Sequence, residues 1–272
     1  MTPTRIDTCF AALRERREKG FIAYITAGDP DLSATVERVR LLEDIGADVI
    51  ELGIPFSDPL ADGVANQRAA ERALSAGCTY EGIIRSVEDI RKHSQIPLVF
   101  FSYLNPLFAR GFDRSMDMAA NAGVDAVLLV DMCLEEAAPF QNIMESRNLN
   151  PVVLVTPTTP EDRVEALVKS GSGFVYCVSR AGVTGEQAEL QKDAQSVLER
   201  ARRHTQLPLA LGFGVSTPDQ AHRYAAMSDA VVVGSFIVTT FHEAGDTACG
   251  RRAAAKKIEE LVKAVKQTGS PS

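Results

Sequence analysis

Eight short aliphatic runs, each followed by a stretch of helical periodicity, constrain this chain more than any other feature. The runs are Phe21–Thr26, Asp48–Leu52, Pro97–Phe101, Asp125–Val130, Pro151–Val155, Gly173–Val178, Pro208–Leu211 and Asp229–Gly234. They are four to six residues long and rich in Val, Ile and Leu. Runs that are apolar throughout, without alternation, are the pattern of parallel strands covered on both faces. Between them, Leu32, Val36, Val39, Leu42 and Ile45 mark one helical face, and Ile83, Val87 and Ile90 another. Three runs share a lead-in: Gly46-Ala47-Asp48, Gly123-Val124-Asp125 and Ser228-Asp229. This is a weak internal repeat at multiples of the βα unit.

Alternating β and α elements imply a parallel sheet. Eight such units in 272 residues favour a closed (β/α)₈ TIM barrel, which takes about 250 residues. An open doubly wound sheet is the alternative, but no Gly-x-Gly-x-x-Gly follows the first run; that turn reads Thr26-Ala27-Gly28-Asp29-Pro30. No Pro/Gly/Ser-rich linker divides the chain, so a single domain over residues 1–272 is expected. Residues 1–19 read as an extra N-terminal helix with Ile6, Phe10 and Leu13 on one face. Ile258, Leu261 and Val265 mark a last helix, and residues 268–272 are expected to fray.

The net charge of −7, with no basic cluster longer than Arg-Arg, argues against a nucleic-acid surface or an anionic membrane. No apolar run approaches the roughly 18 residues of a membrane span, and the charged N-terminus has no signal-peptide core. The five cysteines are odd in number, scattered, and form no CxxC. They read as reduced thiols in a cytoplasmic protein, with Cys177 as ordinary core. No Cys or His spacing suits a metal.

In such a barrel, chemistry belongs at the C-terminal ends of the strands. There the second run carries Glu51, a carboxylate inside an aliphatic strand and expensive to bury charged. It is either a proton-transfer group of raised pKa or one half of a structural ion pair. The loop behind it, Ile54 to Gly63, is long and holds two acids. Asp58, before a proline, reads as a loop tie. Asp62, beside Gly63, is either catalytic or turn-forming. Glu51 and Asp62 together would be a drier and a wetter carboxylate, able to divide acid and base roles. His93 and His204 precede strands, at the other end of a barrel, while His222 and His242 lie in helix-patterned stretches. Histidine chemistry is therefore not expected.

The second half carries Gly-containing turns at adjacent strand ends: Ser179 to Gly185, Gly212-Phe213-Gly214, and Gly234-Ser235 opening a helix. Backbone N–H groups at such turns and at a helix N-terminus attract a phosphate, although the same turns also serve tight packing. Asp131, Tyr103 and Tyr176 also fall at strand ends, as site groups or as a cap, a turn residue and a packed ring.

The stretch Glu51-Leu52-Gly53-Ile54-Pro55-Phe56-Ser57-Asp58-Pro59-Leu60-Ala61-Asp62-Gly63 resembles the signature of the tryptophan synthase α subunit family. Tyr24 to Pro30, Ser179 to Gly185 and Gly212 to Val215 fit that family in the same order, so the resemblance covers nearly the whole chain. It implies retro-aldol cleavage of indole-3-glycerol phosphate to indole and glyceraldehyde 3-phosphate. By that resemblance, Glu51 is the acid–base group and Asp62 accepts a hydrogen bond from the indole N–H. Tyr176 supports the reacting side chain, and Tyr24 and Tyr103 line the indole pocket. Thr184 closes over the substrate, and Gly185, Gly214, Gly234 and Ser235 hold the phosphate. No cofactor is implied in this chain; pyridoxal phosphate is implied in a partner β subunit, within an α₂β₂ assembly. The chain departs from the family pattern at three places. Val64-Ala65-Asn66-Gln67 stands where Pro-x-Ile-Gln is common, which is expected to loosen the backbone after Asp62. Cys133 stands for a proline, expected as a small apolar filler. Ala23 also stands for a proline.

Overall fold

The computed structural model describes residues 2–179, 187–212 and 214–268. Eight parallel strands follow one another around a closed barrel: β1 (Gly20–Thr26), β2 (Val49–Gly53), β3 (Leu98–Ser102), β4 (Ala126–Leu129), β5 (Asn150–Val155), β6 (Val175–Val178), β7 (Leu209–Gly212) and β8 (Ala230–Val233). The last returns to the first, with Ile22 opposite Val232 and Ala23 opposite Val233, which excludes the open sheet. The helices are α1 (Arg5–Arg16), α2 (Leu32–Asp44), α3 (Val64–Ser75), α4 (Tyr80–Arg91), α5 (Leu104–Phe108), α6 (Phe112–Ala122), α7 (Leu134–Ser146), α8 (Glu161–Ser170), α9 (Gln187–Arg202), α10 (Pro218–Met227), α11 (Ser235–Ala244) and α12 (Ala248–Lys266). Two helices, not one, follow each of β2, β3 and β8.

The strands are apolar throughout because both faces are covered. Outward residues such as Ala23, Ile25, Ile50, Leu52 and Phe100 join the helices in one large cluster. Inward residues such as Ile22, Val49, Val99, Leu128, Val152 and Ala210 fill the barrel. The N-terminal helix closes the lower end. Ile6, Phe10 and Leu13 of α1 belong to the barrel's inner cluster, and burying each contributes roughly 1.5–3 kcal/mol. This helix is shorter than residues 1–19. Thr4 and Asp7 form a reciprocal capping box at its start, and Arg17 ends it in a left-handed conformation at φ 56°. Lys19 has left the helix and donates to the Ser228 carbonyl at 2.7 Å. Residues 269–272 lie outside the described residues.

The repeated lead-in has a physical purpose. Asp48 Oδ2 accepts the Phe21 N–H at 2.7 Å, Asp125 Oδ2 the Leu98 N–H at 2.9 Å, and Asp229 Oδ2 the Leu209 N–H at 2.8 Å. Each aspartate thus satisfies a backbone donor at the start of the preceding strand, and each also pairs with a cation. Lys266 holds Asp48, Arg5 and Arg91 hold Asp125, and Arg202 holds Asp229. This is why β2, β4 and β8 begin one residue later than their aliphatic runs: the aspartates belong to the floor.

Candidate active site

At the opposite end, where the strands finish, a cavity of about 410 Å³ opens. Its walls are apolar at Phe101, Val130, Leu154, Val178 and Val232, and polar at Tyr24, Glu51, Asp62, Asn66, Thr156, Tyr176 and Ser235. Glu51 faces the interior because it alternates with Ile50 and Leu52, whose side chains join the outer cluster. Its backbone lies beside Tyr24 on one side and Val99 on the other. The residue is 1% exposed, and neither carboxylate oxygen has a hydrogen-bond partner among the described residues. Burial alone pushes its pKa up to about 8. Among the described residues no cation pairs with it, so the structural ion pair finds no support there.

Asp62 reaches the same cavity from the loop after β2. Partial burial raises its pKa to about 6, and a hydrogen bond from the Tyr103 hydroxyl pulls the other way. It is therefore the wetter of the two carboxylates, as expected, though it too is desolvated. Several contacts hold it in place. The Tyr103 hydroxyl accepts the Ala61 N–H at 2.9 Å, and Gln67 Nε2 donates to the Asp62 carbonyl at 2.9 Å. The Gly63 carbonyl accepts from Asn66 N and Gln67 N, both at 3.0 Å, so α3 starts at once behind the loop. The guanidinium of Arg72, further along α3, forks onto the buried Asp29 carboxylate at 2.7 and 2.8 Å. The backbone after Asp62 is thus a helix start, and Gln67 holds the Asp62 carbonyl where the family's proline is missing.

Tyr103, expected to wall the indole pocket, meets Asp62 and Ala61 N through its hydroxyl, and it is not among the described residues that line the cavity. Its ring packs on Phe56, centroids 5.3 Å apart. Tyr24 and Tyr176 do line the cavity, and each depends on a glycine. A Cβ at Gly53 would lie 2.2 Å from the Tyr24 hydroxyl, and one at Gly212 would lie 2.6 Å from the Tyr176 hydroxyl. Burial pushes both phenols well above their usual range, so they stay protonated.

Gly214, Gly234 and Ser235 line the cavity as expected. Gly234 immediately precedes α11 and offers no side-chain cap to its first turn, whose N–H groups have no intrahelical acceptor. Thr184 and Gly185 lie outside the described residues, as does Phe213. Asp58 is exposed and serves as a tie, its carboxylate accepting from Ser57 and its carbonyl from Leu60 N. Asp131 caps α5 by accepting the Leu104 N–H at 2.8 Å. Cys177 is core, whereas Cys133 is exposed at the start of α7, so it fills no apolar gap. Asn66 and Thr156 line the cavity without having stood out in the sequence, because a polar residue in a helix's first turn or a loop ordinarily reads as surface. Among the described residues, no helix is long and apolar enough to cross a membrane.

A family profile described as "Tryptophan synthase alpha chain" matches residues 10–269. Among similar proteins, the tryptophan synthase alpha chain of Pelobacter propionicus is 46% identical over 237 residues, covering 87% of this chain and 89% of the relative. That of Geobacter sulfurreducens is 43% identical over 251 residues, covering 92% and 95%. The crystal structure of the tryptophan synthase alpha chain from Legionella pneumophila superposes with a TM-score of 0.90 at 33% identity, covering 99% of this chain and 100% of that one. A chain of tryptophan synthase from M. tuberculosis superposes with a TM-score of 0.87 at 29% identity, covering 97% and 99%.

Proposed function

The chain belongs to the tryptophan synthase alpha chain family, whose reaction is the lyase cleavage of indole-3-glycerol phosphate to indole and glyceraldehyde 3-phosphate, and from that premise we propose that Glu51 and Asp62 divide the proton traffic of the cleavage. Near neutral pH Glu51 is protonated, and Asp62 is largely ionised. Glu51 gives its proton to indole C3, and positive charge develops on the ring nitrogen. The Asp62 carboxylate accepts the indole N–H hydrogen bond and stabilises that charge. The Glu51 carboxylate, now ionised, takes the proton of the hydroxyl on the adjoining carbon. The carbon–carbon bond breaks, its electron pair returns to the ring, and that carbon leaves as the aldehyde. Glu51 ends as it began, having given one proton and taken one.

The observation that carries this reading is a buried carboxyl, unpartnered among the described residues, in the wall of a cavity. A group left so in a folded protein is explained by a partner that arrives with the substrate. Tyr24, Tyr176 and Phe101 supply an aromatic and apolar bed for the indole. Gly214, Gly234, Ser235 and the first-turn N–H groups of α11 supply the phosphate end; Thr184 and Gly185 complete the site in this reading. Tyr103 positions Asp62 and does not touch the ring.

The same reading gives the chain no cofactor of its own and a β-subunit partner, which carries pyridoxal phosphate and receives the indole within an α₂β₂ assembly. The exposed large apolar side chains among the described residues, Leu60, Val64, Leu74 and Phe108, all fall in the units that follow β2 and β3. Beside them runs a groove lined by Ile54, Pro55, Phe56, Tyr80 and Pro106. An apolar patch of this kind supports a partner docked over that side of the barrel. The cytoplasm is the compartment that this reading implies, and one barrel domain its organisation.

The decisive variant is Glu51→Gln, which keeps the shape and removes the proton. Indole release from indole-3-glycerol phosphate is expected to fall by roughly 10²–10⁴-fold. Retention of more than about a tenth of the rate would remove Glu51 from the acid–base role.

A further inference from the structure

Buried side-chain polar atoms without a hydrogen-bond partner are, among the described residues, Arg38 Nε, both oxygens of Glu51, and Asn66 Oδ1. Arg38 is accounted for away from the site, with its guanidinium over the Phe241 ring and bonded to Asp29. The remaining orphans line one cavity. Those of Glu51 are explained by the substrate. The Asn66 oxygen stands in the same cavity in the same condition, and the proton traffic does not use it.

We infer that Asn66 is a specificity-determining residue, its carboxamide oxygen accepting a hydrogen bond from the non-reacting hydroxyl of the substrate's side chain. The inference rests on the reading of the cavity given above and adds to it. Asn66 lies in the first turn of α3, one turn before Ala69, which clusters with Tyr24. Helix α3 also packs against α11, whose first residue, Ser235, lines the cavity. Asn66 therefore shares the cavity wall with Glu51, Asp62 and Ser235, and in the reading above the side chain of a bound substrate crosses that wall between its ring and its phosphate. What lies between an indole and a phosphate in that molecule is a pair of hydroxyl groups. One is the group that Glu51 deprotonates; the other has no assigned partner. Asn66 Oδ1 is an acceptor suited to a hydroxyl, while Nδ2 of the same carboxamide is a donor that a phosphate would also accept, so the comparison of probes below decides between the two partners. The indole N–H is already taken by Asp62. An unpaired amide in a half-buried wall is unfavourable in the empty protein, so a structural role would not keep it there. An apolar side chain of similar size would fill the space without that penalty.

The test is Asn66→Leu in the full-length chain, which keeps the volume and removes the acceptor. The probes are indole-3-glycerol phosphate and 3-(indol-3-yl)propyl phosphate, the same skeleton without its two hydroxyls. KM for the glycerol substrate is expected to rise about tenfold, the scale of one hydrogen bond left unmade in a desolvated site. The kcat should change by less than about twofold. Inhibition by the propyl phosphate should hold within about twofold, and the thermal midpoint should not fall. Equal weakening of both ligands would overturn the inference, because it would place Asn66 on the phosphate or in a structural role. No weakening of either would overturn it as well. Asn66→Ala serves the same comparison if the leucine variant fails to fold. Failure of the underlying reading would appear already in the wild type, as a propyl phosphate that does not compete with the substrate. Failure of the inference would appear only in the variants.

Discussion

Asp48 and Glu51 stand three residues apart on the course of β2, and they live in opposite circumstances. Asp48, at the lower end, accepts the Phe21 N–H at 2.7 Å and holds the Lys266 ammonium at 2.6 Å. Glu51, near the upper end, is buried, and its carboxylate oxygens have no hydrogen-bond partner among the described residues. The contrast extends around the barrel. Asp125 and Asp229 repeat the arrangement of Asp48 at the floor, each bonded to a strand-start N–H and to arginine. At the top, the Asp62 carboxylate meets the Tyr103 hydroxyl, and its backbone carbonyl is held by Gln67 of α3. Carboxylates at the floor are spent on the fold. Those at the mouth are kept in reserve, one at a pKa of about 8 and the other at about 6.

Two substitutions at the two ends should separate these roles most sharply. Glu51→Gln is expected to remove activity by at least about 10²-fold while leaving stability intact. Its stability should even exceed the wild type's on the alkaline side. The folded pKa of Glu51, about 8, lies above the ordinary 4.5, so the native state holds a proton that the unfolded chain releases. Wild-type stability should therefore fall as pH rises from about 4.5 through about 8, and the glutamine variant should lack that slope. Denaturant titrations at pH 5 and pH 8.5, on the order of these bounds, would check the sign. Asp125→Ala should do the reverse. It strands the Leu98 N–H and the Arg91 guanidinium, itself only 10% exposed, so the loss should be about 3 kcal/mol. Activity per folded molecule should stay within about twofold, since nothing in the cavity moves. A floor variant that lost catalysis before stability would break the comparison.

A smaller effect tests the loop. The profile of kcat/KM should rise as Asp62 ionises near pH 6 and fall as Glu51 loses its proton near pH 8. Tyr103→Phe removes the hydroxyl that favours the ionised form of Asp62 and also holds Ala61 N. The acid limb should move to higher pH and the maximum should fall a few-fold, while the alkaline limb stays. A shift of both limbs would mean that Tyr103 acts on the whole site and not on Asp62.

The barrel was legible in the sequence because its strands are covered on both faces, and such strands need no alternation to be recognised. Glu51 was legible for the same reason, as the one acid in an aliphatic run where nothing else explains it. Strand limits were read one residue early at Asp48, Asp125 and Asp229, because their bonds to the neighbouring strand depend on barrel closure. The contact of the Tyr103 hydroxyl with Ala61 N and Asp62 was not legible, because a strand-end position does not reveal which loop the ring meets. Asn66 stood in a departure from the family pattern that was read only for its effect on the backbone. A polar residue in the first turn of a helix is ordinary until α3, Tyr24 and α11 are brought together around it.

The claim at the centre of this account is that Glu51 is a buried acid that keeps its proton at neutral pH. Carbon-13 NMR of the chain labelled at the glutamate carboxyl carbons, with Glu51→Gln to assign the signal, reads that proton directly. The account predicts a carboxylic-acid shift for Glu51 at pH 7, converting to a carboxylate with a midpoint near 8. A Glu51 signal already at the carboxylate position at pH 6, titrating with the other glutamates near their ordinary value of about 4.3, would contradict it.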